Sequence, residues 1–418
     1  MRKVLVSLLA AAMVVSSFAG CGKKDNGKVS LKMWSIATES DSNYDAYMKA
    51  IDDYKKGHPD VEFSMESTEN NAYKTKIKAA VAANEMPDIF FTWSCAFLGD
   101  FVTAGRVYCL DDMYKNYEKQ LPKVMMGNVT YDGKIYGVPT TMNIVGMFAN
   151  MELLAKVGYT EVPGTYDELI VCCDKLKAAG IIPFGCAGKQ DETWCVTEYL
   201  ESIIEKTAGA TALNGIFVNG DTWNNPDVKK AVDIFQDMIK KEYFDPAGIS
   251  LGNDEIKNNF MAGKYAFYMN GTWNCADFCN AGLQDKVKVS EFPVIDSSKS
   301  KLGELIGGPS DTLAVAKSSK HAKEAAECAF ELGKGICHYG YLAGAGLPAW
   351  TPDYDTSNIN VLTQAVSKIC ENASQYVLFG DTAMSAEKKD IYLDYVGKIY
   401  SSAIDGQGFV DGLTKDIH

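Results

Sequence analysis

The six tryptophans of this 418-residue chain are the side chains with the clearest capacity to bind a ligand. An indole packs against the flat C–H face of a sugar ring, whose hydroxyls then need charged or amide partners at fixed angles. Most of the tryptophans follow strand-like segments or lie in loop-like segments beside Gly, Asn, Ser or Pro. Five of them are therefore candidates to contact a ligand: Trp34, Trp93, Trp194, Trp273 and Trp350. Trp223 precedes a helix-start signal, which favours packing in a capping loop.

Polar residues close to three predicted strands could supply the hydrogen-bonding partners. Glu39 and Asp41 follow the first strand, Asn70 and Asn71 follow the second, and Ser94 follows the third. A carboxylate can accept hydrogen bonds from two hydroxyls, and once shielded from water it favours a ligand that supplies donors. Each of these residues could instead be a helix cap or a solvated surface group.

Alternating strand and helix patterns must position these residues. Strand patterns cover 31–33 and 61–65, and the apolar run 89–91 is typical of a strand buried on both faces. Helical spacing of apolar residues fills the segments between the strands, so the pattern predicts a parallel sheet flanked by helices. Ligands bind beyond the carboxyl ends of such strands, and we therefore expect the residues that follow the three strands to meet at one rim.

The middle of the chain is more helical. Helical patterns cover 152–158, 166–179, 193–205, 226–240, 254–261 and 321–332. Strand-like segments between them cover 137–145, 265–269, 287–292 and 312–316. The chain as a whole is predicted to be an α/β protein.

Charge excludes one large class of partners. The formal net charge is −13, and Arg2 and Arg106 are the only arginines. Nucleic-acid binding needs a basic surface, so we predict no nucleic-acid partner. A protein with few arginines is also poorly suited to uronates or sugar phosphates, which favours a neutral ligand.

The first twenty residues have the pattern of a secretory signal peptide. Arg2 and Lys3 precede an apolar run over 4–15 and a tail of mostly small residues. The end of this segment, Phe18-Ala19-Gly20-Cys21, resembles a bacterial lipobox, in which the cysteine becomes the lipidated first residue. We therefore predict a signal peptide over 1–20, a lipid anchor on Cys21 and a tether over 21–28. The alternative is an ordinary signal cut that leaves Cys21 free.

Cysteine and histidine usage predicts no metal site. Eleven cysteines follow Cys21, an odd number that cannot all pair internally. Their spacings do not match a zinc ribbon or a redox motif, and the four histidines are scattered. The cysteines are therefore predicted to be mostly small buried hydrophobic residues.

Cofactor motifs are also missing from the sequence. There is no phosphate-binding Gly-x4-Gly-Lys-Ser/Thr segment and no His-Glu-x-x-His. The segment 344–349 matches a relaxed dinucleotide fingerprint, but Pro348 stands where a helix should run. We predict no cofactor. A glycosidase with two facing carboxylates remains an alternative, because sequence spacing cannot exclude it.

Several segments occur in the order found in one known family. They are Pro87 to Phe91, Tyr131 to Pro139, Phe260 to Ala266, Gly271 to Trp273, Gly307 to Asp311, Ala322 to Ala326 and Gly346 to Ala349. In sequence and order they resemble landmarks of the extracellular solute-binding proteins (family 1, maltodextrin-binding-protein-like) of carbohydrate ABC transporters. The resemblance extends from about residue 29 to the C-terminus.

This resemblance implies an α/β, two-lobe periplasmic-binding-protein-like fold of type II. Each lobe would be a mainly parallel sheet flanked by helices, and hinge strands would cross between the lobes. The first lobe would comprise 29–139 plus 307–345, and the second 140–306 plus 346–418 with the C-terminal helices. Hinges are expected near 138–143, 306–309 and 344–346.

The resemblance also implies a function and marks further site residues. It marks the loop of Trp273 as a sugar platform, with Asn143 beside the first hinge and Asn274, Gly308 and Asp311 in or beside the family loops. The implied protein is a monomer on the extracellular face of the bacterial cell membrane, lipid-anchored, that captures a neutral oligosaccharide and delivers it to the ABC transporter permease subunits. It would not be an enzyme. The alternatives are a secreted carbohydrate-active hydrolase and a surface binder of a non-sugar solute.

Overall fold

The computed structural model describes residues 28–417. The predicted signal peptide over 1–20, Cys21 and all but the last residue of the tether lie outside this range, so these remain predictions. Between residues 28 and 417, no helix has both the length and the apolar character needed to cross a membrane.

The strands and helices alternate along the first part of the described chain, as predicted. The strands are β1 (Val29–Ser35), β2 (Val61–Ser67), β3 (Ile89–Trp93), β4 (Thr130–Tyr131), β5 (Lys134–Ile135), β6 (Val138–Asn150), β7 (Ile182–Gly185), β8 (Tyr265–Gly271), β9 (Val287–Ser290), β10 (Glu304–Val315), β11 (Leu347–Pro348) and β12 (Gln375–Val377).

The α-helices pack around these strands. They are α1 (Tyr44–Gly57), α2 (Asn70–Ala83), α3 (Ala96–Thr103), α4 (Asp111–Tyr114), α5 (Met151–Ala155), α6 (Tyr166–Ala178), α7 (Trp194–Ala208), α8 (Ala210–Asn214), α9 (Pro226–Lys240), α10 (Asn253–Met261), α11 (Asn274–Asn280), α12 (Ala322–Ala343), α13 (Val361–Glu371), α14 (Gly380–Ala383), α15 (Ala386–Tyr400) and α16 (Gly406–Ile417). Short 3₁₀ segments cover Lys123–Val129, Gln190–Glu192 and Pro246–Ser250, and a π turn covers Gly215–Asn219.

Local sequence explains where these helices begin. The Asn225 side chain accepts a hydrogen bond from the Asp227 N–H at 2.9 Å, and Pro226 occupies the first turn of α9, where its missing N–H costs nothing. Thr165 and Glu168 form a reciprocal capping box at the start of α6. The predicted helix start after Trp223 is confirmed, and that indole is 1% exposed within the core.

The main sheet is mixed. Its strand order is β2-β1-β3-β10-β6-β8-β7. The pairs β1–β2, β1–β3 and β7–β8 are parallel, which confirms the parallel arrangement predicted for the first three strands. The pairs β3–β10, β10–β6 and β6–β8 are antiparallel. The expectation of mainly parallel sheets therefore fails at the centre, because β6 and β10 carry the chain in opposite directions there.

Strands β6 and β10 extend through both halves of the protein. The first part of β6 pairs with β10, and its last part, from Val145 to Asn150, pairs with β8 and β9. β10 pairs with β12 over Glu304–Ile306 and with β3 over Asp311–Val315. All 13 residues of β6 are buried. The strand patterns predicted at 137–145 and 312–316 are thus parts of two longer crossing strands.

The apolar core is divided on either side of these crossing strands. Residues 31–138 and 313–350 form one cluster. Residues from 142–306 and 347–413 form two other clusters. Ala349 and Trp350 belong to the first cluster although they follow the last expected hinge. The first cluster is the core of one half, and the other two clusters together form the core of the second half. Two cores joined by long shared strands are the architecture of a two-lobe protein.

Two adjacent glycines in β10 allow a test of how closely β10 and β6 approach each other. Gly307 and Gly308 have φ of +134° and +138°, a region that costs other residues about 1–3 kcal/mol. A Cβ on Gly307 would lie 2.2 Å from the Asn143 backbone oxygen, whereas a Cβ on Gly308 would meet two side chains at ordinary contact distances, Leu378 at 3.4 Å and Asn128 at 4.0 Å. We expect Gly307→Ala to lower the melting temperature more than Gly308→Ala, since only the first forces β10 away from β6.

Thermal unfolding of both purified variants beside the wild-type protein measures this difference. The Gly308→Ala variant is the control for backbone conformation alone. Equal melting temperatures for the two variants would contradict the close approach of the crossing strands at Gly307.

Candidate functional site: a cleft between the two cores

A cleft of about 1440 Å³ lies where the two halves of the protein face each other. From the first half, it is lined by the loop after β1, the start of α2, the end of β3 and part of β10. From the second half, it is lined by the starts of α7, α10 and α11 and by residues of α14 and α15. The parallel strands β1, β2 and β3 therefore direct their carboxyl ends to one rim, as the sequence predicts.

Trp93 supplies an aromatic surface from the first half. It ends β3, and its ring makes edge contacts with Phe91 and Phe97, with 5.0 Å between ring centroids in each pair. The Lys74 ammonium lies 4.9 Å from the centre of the Trp93 ring. These contacts hold the indole in one orientation at the cleft.

Three aromatic residues form a platform on the opposite side, which we call the aromatic platform: Trp194, Trp273 and Phe379. Trp194 is the first residue of α7, and Trp273 immediately precedes α11. Their ring centroids are 6.2 Å apart, and Trp273 lies 6.3 Å from Phe379. Such a surface can pack against flat apolar faces of a ligand.

Two carboxyl groups, Asp41 and Asp311, lie in the cleft on the side of the first core. Asp41 accepts a hydrogen bond from the Asn43 N–H at 2.8 Å, and Asp311 accepts one from the Thr141 hydroxyl at 3.0 Å. Burial, with a smaller contribution from the nearby Asp311, raises the pKa of Asp41 to about 7. Burial also raises the pKa of Asp311 to about 6, although the Thr141 hydrogen bond opposes the shift. Both groups are therefore poorly solvated.

On the side of the second core, the Lys257 ammonium balances the charge of two carboxylates. Its ammonium lies 2.8 Å from Asp277 and 3.4 Å from Asp254. Burial acts to lower the pKa of Lys257, but the two carboxylates outweigh it and the pKa is raised. Both ion pairs of Lys257 are thus formed within its own half of the protein.

Buried polar atoms without partners are concentrated in this cleft. Within residues 28–417, seven buried side-chain nitrogen or oxygen atoms have no hydrogen-bond partner, and four of them belong to residues that line the cleft. These four are Asn43 Oδ1, Asn70 Oδ1, Trp194 Nε1 and Glu198 Oε2. Two come from each half of the protein. A buried polar atom without a partner costs about 1–3 kcal/mol, so these atoms are suited to pair with a ligand.

The structure brings eight of the sequence-predicted site residues together. The residues that line the cleft are Asp41, Asn70, Asn71, Trp93, Trp194, Trp273, Asn274 and Asp311. Glu69 positions the asparagines because its carboxylate accepts from the Asn71 and Ala72 N–H groups and caps α2. Asn274 is buried, and its amide donates to the Asn270 side chain at 3.0 Å and to the Gly271 carbonyl at 2.9 Å.

Two of the predicted tryptophans lie away from the cleft. Side chains alternate along β1, so Trp34 faces away from the buried Leu31 and Met33, and the Lys76 ammonium lies 4.1 Å from its ring. Trp350 is 3% exposed in the first core, where its indole N–H donates to the Pro139 carbonyl at 2.8 Å. Three tryptophans therefore line the cleft instead of the expected five.

The remaining four predicted site residues also do not line the cleft. Glu39 is exposed to solvent. The Ser94 hydroxyl donates to the Pro309 carbonyl at 3.1 Å, and Asn143 accepts from the Thr272 hydroxyl at 3.2 Å. Gly308 pairs with Asn143 within the crossing strands. These last three residues therefore support the backbone behind the cleft.

Sequence reasoning missed several residues that line the cleft. Among them are Lys74, Glu198, Lys257, Asp277 and Phe379. Glu198 had a usable signal, because it follows Trp194 by four residues and so lies on the same face of a helix. Phe379 had none, since only the tertiary fold brings α14 beside α7.

Gly248 to Gly252 matches the Gly-x-Ser-x-Gly pattern of serine hydrolases, but it has a different structure here. Ser250 ends the 3₁₀ segment Pro246–Ser250 and donates to the Ala247 carbonyl at 3.0 Å. A nucleophile elbow instead places its serine on a sharp turn between a strand and a helix, beside a histidine. No histidine lines the cleft within the described chain.

The cysteines behave as predicted. All eleven cysteines of residues 28–417 are free, and seven of them are buried. The same part of the chain contains no group of three or more His, Cys, Asp or Glu residues that could hold a metal ion.

Comparison with known proteins identifies the family to which this chain belongs. The family model for bacterial extracellular solute-binding proteins matches residues 37–332.

Two curated proteins are similar over most of their length. An uncharacterized ABC transporter extracellular-binding protein of Pyrococcus horikoshii is 25% identical over 350 residues, which cover 79% of this chain and 78% of that protein. A multiple sugar-binding protein of Streptococcus mutans is 25% identical over 331 residues, covering 77% of this chain and 74% of that protein.

A solved structure from work on xylan utilization by the thermophilic bacterium Caldanaerobius polysaccharolyticus is also similar. It is 32% identical, has a TM-score of 0.89 and covers 93% of this chain and 100% of that one.

The raised pKa values of the cleft carboxyls predict a stability that falls with pH. The folded state holds the Asp41 proton more tightly than the unfolded chain, where the pKa has its ordinary value of 3.8. This contribution to stability is fully present below that value and is lost as the pH rises through about 7. An asparagine keeps an oxygen that can accept from Asn43 but does not titrate.

Urea unfolding of the wild-type protein and of Asp41→Asn at several pH values measures this effect. The free energy of unfolding of the wild type minus that of the variant should fall by about 1 kcal/mol or more between about pH 4 and about pH 8. The matched variant is Asp311→Asn. The difference in free energy of unfolding between the wild type and this variant should reach its low-stability plateau at a lower pH than for Asp41→Asn, because the pKa of Asp311 is about 6. A difference that stays constant or increases with pH would contradict the burial of these groups.

Proposed function

Because this chain belongs to the bacterial extracellular solute-binding protein family, we propose that it captures a neutral oligosaccharide in the cleft and delivers it to an ABC importer. The proposal includes a lipid anchor on Cys21, which would hold a monomeric protein at the outer face of the cell membrane. It includes no cofactor and no catalytic step.

One observation carries the choice of ligand. The aromatic platform faces a cleft in which four buried polar atoms, two from each half of the protein, have no partner within the described chain. A sugar offers both complementary features, since its C–H faces pack on indoles and its hydroxyls can donate to amide and carboxylate oxygens and accept from an indole N–H. A purely apolar ligand would leave the four atoms unpaired.

The charge of the lining supports a neutral sugar. The acids lining the cleft include Asp41, Asp277, Asp311 and Asp381, and the carboxylates there outnumber the lysines. Within residues 28–417, no arginine lines the cleft, and arginine is the residue best suited to bind a carboxylate or phosphate with two parallel hydrogen bonds. Uronates and sugar phosphates would therefore be repelled or left without their preferred partner.

Capture would use the two crossing strands as a hinge. β6 and β10 belong to both halves, so small backbone rotations in them would move one core relative to the other. The ligand would favour the closed arrangement, because only there can Trp93 and the aromatic platform contact it together. The permease would then recognise the closed shape.

The relatives support the role in import. The Pyrococcus protein is described as an ABC transporter extracellular-binding protein, and the Streptococcus protein is described as binding multiple sugars. Transfer of these roles to this chain is part of the proposal.

A thermal-shift screen against neutral di- to tetrasaccharides of glucose, galactose, mannose and xylose tests the proposed function. We expect at least one sugar to raise the melting temperature, and release of reducing ends during incubation would contradict a binding-only protein.

Substitution of Trp273 tests the aromatic platform. We expect Trp273→Ala to weaken binding of the sugar identified in the screen by roughly tenfold or more, about 1.4 kcal/mol, since the indole face is lost. Calorimetric titration of the folded variant measures the affinity.

Trp350→Ala is the matched control, because that indole is buried in the first core and does not line the cleft. It should lower the melting temperature through loss of packing and leave the affinity of the folded protein close to that of the wild type. An unchanged affinity for Trp273→Ala together with a lowered melting temperature would assign Trp273 to the core and contradict the platform.

A further inference from the structure

We propose that Glu198 is a specificity-determining residue whose carboxyl group forms a hydrogen bond with a hydroxyl of the captured sugar. The inference rests on the proposed function and names a contact within the same cleft.

Glu198 is an exception among the buried acids of α7. It is 2% exposed and lines the cleft, yet its Oε2 has no hydrogen-bond partner within residues 28–417. An unpaired carboxyl oxygen in this position is costly to the folded protein. A ligand hydroxyl would remove that cost, so Glu198 is placed to contribute to binding more than to folding.

The helix aligns Glu198 with the aromatic platform. Trp194 precedes it by four residues, so the two side chains lie one above the other on the same face of α7. Among the described residues, Trp194 Nε1 is the other cleft atom of this half that is buried without a hydrogen-bond partner. α7 therefore offers an indole donor and a carboxyl group side by side, a combination that can bind two adjacent sugar hydroxyls.

Glu201, one turn further along α7, has the opposite character. It is fully buried and does not line the cleft. Its carboxylate accepts from the Tyr392 hydroxyl at 2.9 Å and from the Gly380 N–H at 3.2 Å. Glu201 thus joins α7 to α14 and α15, which is a structural role.

The surroundings of Glu198 favour its neutral form. Burial, together with the nearby carboxylates of Glu201 and Asp381, raises the pKa of Glu198 well above its ordinary range. Lys74, from the other half, lies 3.9 Å from Asp381. A neutral carboxyl group carries one O–H donor and can also accept, so it pairs with a sugar hydroxyl in either sense.

Three variants separate binding from structure. Glu198→Met removes the polar group and keeps an unbranched side chain, Glu198→Gln restores hydrogen bonding, and Glu201→Met is the matched control on the same helix. The melting temperature of each variant is measured without sugar. Affinity is then measured by calorimetric titration with xylotriose, cellotriose, maltotriose, mannotriose and raffinose.

We expect Glu198→Met to melt at or above the wild-type temperature and to bind the best of these sugars roughly tenfold more weakly or worse, with Glu198→Gln close to the wild type. Glu201→Met should melt at a lower temperature, because it leaves the Tyr392 hydroxyl and the Gly380 N–H unpaired. Wild-type affinity for Glu198→Met would overturn the inference.

If none of the five sugars binds the wild-type protein, the melting temperatures measured without sugar still test the role of Glu198. The absence of binding would count against the proposed oligosaccharide and is distinct from failure at Glu198. A melting temperature for Glu198→Met as low as that of Glu201→Met would then overturn the inference by making Glu198 structural. A melting temperature at or above that of the wild type would support it.

Discussion

The pairing of β6 with β10 is the contact on which the rest of this protein depends. β10 pairs with β3 of the first half and with β12 of the second, whereas β6 pairs with β10 along its first part and with β8 and β9 of the second half along its last part. Each core is completed by one end of this pair, and the cleft forms beside it. The hydrogen bond from Thr141 on β6 to Asp311 on β10 shows the connection directly, since it joins the two strands and lines the cleft. A shift in the register of β10 against β6 between Pro309 and Asp311 marks the same place.

The cleft differs from the rest of the interior in how its polar groups are satisfied. Elsewhere, buried acids have specific partners, as Glu205 has in Ser300 and Lys206. In the cleft, an amide oxygen of Asn70, the indole nitrogen of Trp194 and a carboxyl oxygen of Glu198 are buried with no hydrogen-bond partner in the part of the chain that the structure describes. Folding alone would favour apolar residues at these positions. Their presence is what a binding site requires, because affinity comes from groups that the ligand satisfies and the protein does not.

Much of the fold could be predicted from the sequence, because local patterns determine it. The alternation of β1, β2 and β3 with α1 and α2, the start of α9 at Pro226 and the burial of most cysteines follow from periodicity, capping and side-chain chemistry. The lengths of β6 and β10 could not be predicted, since an unbroken apolar run does not reveal which strand each half of it pairs with. The mixed sheet is a consequence of those pairings.

The candidate site was predictable only where position along a strand or a helix start determines it. Trp93 lines the cleft because it ends β3, and Asp41 because it lies in the loop after β1. Trp34 also lies near the end of a strand, but side-chain alternation directs it to the other face. Trp350 is buried in the first core, where its indole N–H donates to the Pro139 carbonyl. Phe379 joins the platform from a distant part of the chain. Its contribution depends on tertiary packing and has no local signal.

The most direct test of this account is a crystal structure of the protein with the tightest-binding neutral oligosaccharide from the screen. The account predicts a sugar between Trp93 and the aromatic platform, with hydroxyls hydrogen-bonded to residues of both halves. A ligand bound outside the cleft, or held by residues of one half alone, would contradict it.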